Sequence, residues 1–188
     1  DTNNGGGDEV VVGQGAHSLT IGDVDADGRD EIVYGAATID DDGSVLYSTD
    51  LCHGDAEHLG DFDPNRPGLE IFMVHEAPGC YANADAGFDH GVEMHDAATG
   101  EILWSLSGQG ADVGRGVTID IDPRFPGNES WGSRGGLTAA DGTHVSDEKP
   151  GATNFAAWWD GDLLREILDG TTVSKWNYLG SEAYPILR

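Results

Sequence analysis

The sequence predicts an all-β fold built from repeats of one four-stranded unit. Short apolar or alternating segments run between clusters of Gly, Asp and Asn, the pattern of many short strands joined by tight turns. The 29 glycines supply those turns. An Asp-x-Asp pair, followed by a glutamate that opens an apolar strand, recurs along the chain with its first aspartates at Asp23, Asp61, Asp120 and Asp160. Four strands per unit of about 40 residues are typical of a β-propeller blade.

Stacking the repeats predicts the strands in order. The first strand of each unit precedes the aspartate pair, at 17–22, 56–60, 116–119 and 154–159. The second begins at the glutamate, at 31–35, 70–75, 129–132 and 166–168. A third strand then leads to a turn, at 41–43, 98–100, 140–142 and 169–170. A fourth strand closes the unit, as at 102–105 and 173–176, and a single helical turn at 163–168 is compatible with the pattern.

These units divide residues 1–188 into four blades of one β-propeller segment. The predicted blades are at about 15–50, 51–107, 108–147 and 148–188. The second is longer because it carries an insertion at 77–90. Since closed four-bladed propellers are unusual, we interpret the chain as part of a larger ring.

The aspartate pairs predict calcium sites in the loops between the first and second strands. Alternate carboxylates on an extended loop project to the same side, and a cation relieves their repulsion. Hard oxygen donors at this density favour calcium over a transition metal. The first loop is the sharpest motif: its predicted ligands are Asp23, Asp25, Asp27, Glu31 and the backbone carbonyl of Arg29.

The second and third loops share a longer form, Asp-x-Asp-Pro followed by Pro-Gly-x-Glu. Their predicted calcium ligands are Asp61, Asp63, Glu70, Asp120, Asp122 and Glu129. The fourth pair, Asp160 and Asp162, fits a metal-binding loop and a solvated acidic turn about equally well.

A second set of polar residues lies outside these loops. His17 begins a first strand, His53 and Asp55 precede another, and Glu76 ends a second strand. In a propeller, the loop entering a blade and the connection after its second strand open on one face. We therefore expect these residues to converge with Arg115, which leads into the third unit. Such a mixed nitrogen and oxygen set has metal-binding and acid-base potential.

Composition bounds the partners and the compartment. The 35 acidic and 9 basic residues give a net charge of −26, which argues against binding nucleic acid or an anionic membrane surface. Carboxylates that are not ligands would suit a high-salt environment, an alternative that composition leaves open. Several modest-affinity calcium sites suit a secreted, extracellular protein. Cys52 and Cys80 are compatible with one disulfide or with two free thiols.

Four segments carry a resemblance to a known family. They read HSLTIGDVDADGRDEIVYGAATIDDDGSVLYSTDLCHGDAEHLGDFDPNRPGLEIFMVHE, GVEMHDAATGEILW, DVGRGVTIDIDPRFPGNESW and TNFAAWWDGDLLREILDGTTVSKW. In this order and spacing they resemble the rhamnogalacturonan lyases of polysaccharide lyase family eleven. The resemblance covers roughly residues 17–176.

The resemblance implies an eight-bladed, calcium-dependent propeller that cleaves the rhamnogalacturonan I backbone of pectin by β-elimination. It implies an active-site calcium held by residues matching His17, His53, Asp55 and Glu76, and a catalytic arginine matching Arg115. We expect Arg115 and His53 to contact the substrate. The family's lysine base lies beyond the matched part, and neither Lys149 nor Lys175 sits in a corresponding motif.

The chain departs from the family by lacking about half of the expected ring and by its insertion with Cys80. The sequence therefore leaves open whether this chain is active without further blades, supplied by another chain or by a second copy. The leading interpretation is a segment of an extracellular, calcium-dependent rhamnogalacturonan lyase. The alternative is a non-catalytic, calcium-dependent propeller module that binds acidic glycans or builds an extracellular assembly. A third interpretation is an adhesion-type propeller whose calcium is purely structural.

Overall fold

Four antiparallel sheets, each of four strands, make up the structure. The computed structural model describes residues 11–76 and 89–188, which contain no α-helix. Strands are hydrogen-bonded in chain order within each sheet. The first sheet is β1 (Thr20–Gly22), β2 (Glu31–Val33), β3 (Ala37–Ile39) and β4 (Val45–Ser48). The second is β5 (Gly54–Gly60), β6 (Glu70–His75), β7 (Val92–Asp96) and β8 (Ile102–Leu106). The third is β9 (Gly116–Ile119), β10 (Glu129–Gly132), β11 (Leu137–Ala139) and β12 (His144–Ser146). The fourth is β13 (Phe155–Ala157), β14 (Glu166–Asp169), β15 (Thr172–Asn177) and β16 (Glu182–Leu187).

This architecture confirms the all-β prediction, and each predicted repeat unit contains one sheet. In every unit the second strand begins at the repeated glutamate. A closed ring of sheets is not seen among the residues that the structure describes, so the propeller remains a prediction. The insertion at 77–90 lies almost wholly outside those residues, and Cys80 lies within the part not described.

The fourth unit was predicted wrongly in two details. The turn at 169–170 joins β14 to β15, so residues 173–176 lie in the third strand and β16 closes the sheet. A tight hairpin directly after the glutamate strand shifts this turn one strand earlier than in the other units. The helical turn at 163–168 is absent, because Glu166 and Ile167 pair in register with Ala157 and Ala156.

Equivalent aromatic side chains join the first sheet to the second and the second sheet to the third. Tyr47 on β4 donates its hydroxyl hydrogen to the Ala97 carbonyl at 2.9 Å, beside the turn between β7 and β8. Trp104 on β8 donates its indole N–H to the Ala140 carbonyl at 2.9 Å, beside the turn between β11 and β12. Glycine at 142 is required there: its φ is +85°, and a Cβ would lie 2.9 Å from the Trp104 side chain. The repeated sequence unit therefore determines contacts between neighbouring sheets as well as the strands within each sheet.

The hydrophobic core is divided among the interfaces between consecutive sheets. The cluster around Val33 and Ile71 joins the first sheet to the second. The cluster around Val117, Trp131, Ile167 and Trp176 joins the third sheet to the fourth. β5 contacts both β1 and β9, which places the first strands of neighbouring sheets side by side. Among the described residues, no helix has the length and apolarity needed to cross a membrane.

Candidate functional site

The entrances to the first and second sheets are held together by backbone contacts. A parallel bridge joins Ala16 to Gly54, and the Gly54 N–H donates to the Gly15 carbonyl at 3.1 Å. The Glu76 N–H donates to the His53 carbonyl at 3.1 Å, so the end of β6 returns to the same place. Main-chain pairing therefore positions His17, His53, Asp55 and Glu76 at one point.

Their side chains meet within ion-pair distance. His17 Nε2 lies 3.1 Å from Asp55 Oδ1 and 3.5 Å from Glu76 Oε1. His53 Nε2 lies 3.1 Å from Glu76 Oε2. One ligand atom from each of His17, His53 and Glu76 falls within 4.8 Å of the other two. The predicted convergence of these residues is thus observed, while the identity of any bound ion stays a prediction.

Arg115 and Asp112 extend the cluster from the segment before β9. Arg115 donates from Nη1 to the Asp55 carbonyl oxygen at 2.8 Å and lies 3.9 Å from Asp55 Oδ1. Carboxylate oxygens of Asp55, Glu76 and Asp112 lie within 4.8 Å of one another. Half of the Arg115 side chain remains exposed, so its guanidinium is free to meet a further anion.

The cluster opens into a cavity of about 430 Å³. Its walls come from three elements besides the cluster: buried Glu57 and half-buried His58 on β5, the start of β9, and the segment Thr153, Asn154 and Phe155 at the start of the fourth sheet. Burial raises the pKa of Glu57, although hydrogen bonds from the Thr20 hydroxyl and the Gly35 N–H oppose that rise. Sequence reasoning missed the fourth sheet's contribution, because 153–155 is far from the cluster along the chain.

His75, beside Glu76 in the chain, faces the core instead of the cavity. Its Nε2 and His95 Nδ1 lie 3.3 Å and 3.0 Å from the carboxylate of Glu93. Burial alone would raise the pKa of Glu93, but the imidazoles of His95 and His75 outweigh burial and lower that pKa to about 2. This buried triad is a structural element of the second sheet.

The four acidic loops share one backbone contact. In each loop, Oε2 of the repeated glutamate accepts a hydrogen bond from the backbone N–H seven residues earlier; the donors are Val24, Asp63, Asp122 and Trp159. All four glutamates, Glu31, Glu70, Glu129 and Glu166, are buried. The repeated glutamate therefore ties its loop to the following strand through Oε2, and its Oε1 is the atom available to a cation.

The first and third loops leave such atoms without a partner. Glu31 Oε1 and Asp23 Oδ1 are buried and form no hydrogen bond, and the same holds for Glu129 Oε1 and Asp120 Oδ1. Burial raises the pKa of Glu129 to about 8, against two backbone hydrogen bonds that lower it. Orphaned buried carboxylate oxygens require a cation or a proton, so both loops fit the predicted calcium.

The remaining carboxylates of the first and third loops lie close to one another or to an arginine side chain. Asp23, Asp25 and Asp27 each place an oxygen within 4.8 Å of the others. The Arg29 side chain binds Asp41 at 2.6 Å. In the third loop, the wholly buried carboxylate of Asp122 is engaged by Arg124, whose Nε lies 2.8 Å from Oδ1 and whose Nη2 lies 2.5 Å from Oδ2.

The second and fourth loops place a basic side chain opposite the glutamate. Arg66 Nε lies 3.7 Å from Glu70 Oε1, and its Nη2 lies 2.9 Å from Asp96 Oδ2. Asp63 is buried and accepts hydrogen bonds from the Asn65 backbone and side chain, whereas Asp61 is exposed. The two basic residues are Arg66 in the second loop and Lys175 in the fourth. Sequence analysis missed both, because it considered only the spacing of the carboxylates.

Comparison with known proteins identifies the family. A family model described as rhamnogalacturonan lyase family 11, C-terminal domain, matches residues 1–188. The chain belongs to rhamnogalacturonan lyase family 11. The resemblance noted in the sequence is thereby confirmed.

Relatives within family 11 are closely similar over a limited part of their length. Rhamnogalacturonan endolyase YesW of Bacillus subtilis (strain 168) is 52% identical over 172 residues, which cover 92% of this chain and 26% of the relative. Rhamnogalacturonan exolyase YesX of the same strain is 50% identical over 171 residues, covering 87% and 26%. The 1.40 Å crystal structure of YesW matches with a TM-score of 0.90 and 49% identity, over 100% of this chain and 30% of that one. This family 11 chain therefore spans about a quarter of the curated relatives, and similarity alone does not separate endo from exo action.

Proposed function

We propose that this chain forms the cation-binding wall of the active site in a calcium-dependent rhamnogalacturonan lyase, which cleaves the rhamnose–galacturonate backbone of pectin by β-elimination. The observation that carries the proposal is the cluster of His17, His53, Asp55 and Glu76 with Arg115, of which His17, Asp55 and Arg115 line one open cavity. Membership of family 11 supports the reaction class, and the geometry supports the assignment of residues.

The four sheets are proposed to be consecutive blades of a β-propeller. Their stacking in chain order and the adjacency of β1, β5 and β9 support this arrangement. The first sheet also exposes Leu19, Ile21, Ile32 and Tyr34, and the fourth sheet exposes Tyr184, Ile186 and Leu187. Apolar faces at both ends of the stack suit further sheets packed against them, as an eight-bladed ring would provide.

Calcium is proposed at the cluster and in the acidic loops. The cluster offers two imidazole nitrogens and three carboxylates against one guanidinium, which gives an excess of negative charge. When bound there, calcium would neutralise the substrate carboxylate and stabilise the negative charge that develops as the proton at C5 of galacturonate is removed. His17, His53, Asp55 and Glu76 would hold the ion.

Arg115 and His53 are proposed to bind the substrate. The Arg115 guanidinium is fixed by the Asp55 carbonyl at 2.8 Å and keeps exposed donors, so it can bind a galacturonate carboxylate through two hydrogen bonds. An arginine side chain donates hydrogen bonds and offers no acceptor, so Arg115 positions the acid without accepting its proton. A chain of net charge −26 repels a polyuronate, and cations at this cavity overcome that repulsion locally.

Secretion is proposed for the protein. Cys52 takes part in a disulfide, which an oxidising compartment favours; Cys80, for which the sequence left both a disulfide and a free thiol open, lies outside the described residues. Extracellular calcium at millimolar concentration would fill several loops of modest affinity.

A non-catalytic glycan-binding module is the second candidate function. Neither lysine of the chain lies at the cavity: Lys175 is in the fourth loop, and Lys149 is not among the lining residues. The proton acceptor must therefore come from another group, and a protein lacking that group would bind rhamnogalacturonan without cleaving it.

Activity of the intact protein on rhamnogalacturonan I distinguishes the two candidates. The lyase reaction releases unsaturated uronides, which absorb in the ultraviolet. Glu76→Gln and Arg115→Gln are expected to lower the rate by about 100-fold or more, while His144→Gln, at an exposed position, retains it. Binding without any release of unsaturated uronide would support the module, and activity that survives both substitutions and a chelator would refute the assignment of the site.

A further inference from the structure

The fourth acidic loop contains a cation that belongs to the protein itself. Lys175 Nζ lies 2.5 Å from Asp162 Oδ2 and 3.2 Å from Glu166 Oε1, and it also contacts Asp160 Oδ2. Oxygens of the same three carboxylates fall within 4.8 Å of one another. We propose that the Lys175 ammonium permanently occupies the cation position of this loop, so that the loop binds no divalent ion unless Lys175 is removed.

Burial makes a cation necessary at this point. Glu166 is wholly buried, and its Oε1 receives no hydrogen bond apart from the ion pair with Lys175. Its Oε2 is occupied by the Trp159 N–H at 2.7 Å. A buried carboxylate oxygen in this state needs a positive charge beside it.

Strand pairing explains why only the fourth loop has this lysine. Glu70 on β6 pairs across to Asp96 on β7, and Glu129 on β10 pairs across to Ala139 on β11. In the fourth sheet the pair Ile167 and Ser174 places Lys175 one step further along, opposite Glu166. In the fourth sheet, the residue that faces the glutamate from the third strand therefore supplies the cation.

Space and charge both argue against a second cation in this loop. The Lys175 side chain is only 13% exposed, so its ammonium is held among the carboxylates and does not swing freely in solvent. A divalent ion would have to displace it, and the displaced ammonium would then lose all three carboxylate partners. The first loop, by contrast, has a third aspartate at Asp27 where the fourth has Leu164.

This arrangement also concerns the cavity. The segment Thr153, Asn154 and Phe155 lines the cavity, and β13 connects it directly to the fourth acidic loop. An internal cation holds this wall in place at any calcium concentration. The inference depends on the carboxylate geometry alone and does not require the proposed lyase activity.

Counting bound calcium in the intact protein tests the proposal. Equilibrium dialysis against calcium chloride, followed by metal analysis, is expected to find one more ion per chain in Lys175→Met than in the wild type. The same substitution at the only other lysine, Lys149→Met, matches the loss of charge and is expected to leave the count unchanged. Equal counts in a folded Lys175→Met protein would overturn the proposal.

A substitution in the loop itself covers the case in which Lys175→Met does not fold. Asp162→Asn in the otherwise unchanged protein removes an exposed carboxylate and is expected to leave the calcium count as in the wild type. Asp25→Asn, the equivalent change in the first loop, serves as the matched comparison and is expected to weaken or abolish one site if that loop holds calcium. Loss of one ion in Asp162→Asn would show that the fourth loop binds calcium despite Lys175, and would overturn the proposal.

Discussion

The third and fourth acidic loops are closed by the same backbone contact, yet they neutralise their buried glutamates differently. Glu129 and Glu166 both accept a backbone N–H through Oε2. Oε1 of Glu129 has no partner, whereas Oε1 of Glu166 faces the ammonium of Lys175 at 3.2 Å. One repeat therefore contains two arrangements of the buried glutamate: one whose outer oxygen has no protein partner, and one whose outer oxygen lies beside a lysine.

The largest expected effect is the pH dependence of the third loop in the presence of a chelator. Burial raises the pKa of Glu129 from 4.5 to about 8. Because the folded state holds this proton more tightly than the unfolded state, stability is lost as pH rises from about 4.5 to 8, by about 4 kcal/mol. Chemical denaturation at pH 5 and pH 8 measures it.

Glu129→Gln is the control for that pH dependence. Its amide keeps an oxygen for the two backbone donors and does not titrate between pH 5 and 8. The loss of stability over that range should therefore become smaller. A slope identical to that of the wild type would show that another group is responsible.

The second expected effect converts the fourth loop into a loop of the third type. Lys175→Met leaves Glu166 buried without its cation, and we expect the free energy of unfolding in chelator to fall by about 2–3 kcal/mol. Millimolar calcium should restore most of that loss. Lys149→Met, measured alongside, should change little; a Lys175→Met protein as stable as the wild type in chelator would remove the distinction between the loops.

Hydrogen exchange sharpens the comparison without any substitution. In the wild type, adding calcium to chelated protein should slow amide exchange in the first and third loops by about tenfold or more. Peptides covering 160–168 should exchange equally in both conditions, since their cation is covalently part of the chain. Equal protection of all four loops by calcium would contradict this division.

The smallest expected effect concerns the second loop, which lies between the two types. Arg66 Nε lies 3.7 Å from Glu70 Oε1, whereas Arg66 Nη2 forms a shorter ion pair, of 2.9 Å, with Asp96 Oδ2. Arg66→Met should therefore lower stability by only about 1 kcal/mol. Recovery of that loss by calcium would group this loop with the first and third; no recovery would leave Glu70 neutralised by a proton.

Sequence alone determined much of the architecture. The positions of Gly and Asp define turns, and the repeated glutamates mark where β2, β6, β10 and β14 begin, because turn chemistry and strand pattern are local properties. The expected meeting of His17 with Glu76 also followed, once the units were treated as equivalent and placed side by side. The turn at 169–170 was predicted to follow the third strand of its unit, but it follows the second. The error arose because the turn after a second strand and the turn after a third strand have the same local composition.

Tertiary structure decided which of the buried glutamates have a basic side chain beside them. Lys175 faces Glu166 only because β14 and β15 pair in one particular register, and Phe155 reaches the cavity only because the fourth sheet packs against the third. Carboxylate spacing reports the negative charges of a loop. In the fourth loop the positive charge comes from Lys175, whose position is fixed by the register of the hairpin between β14 and β15.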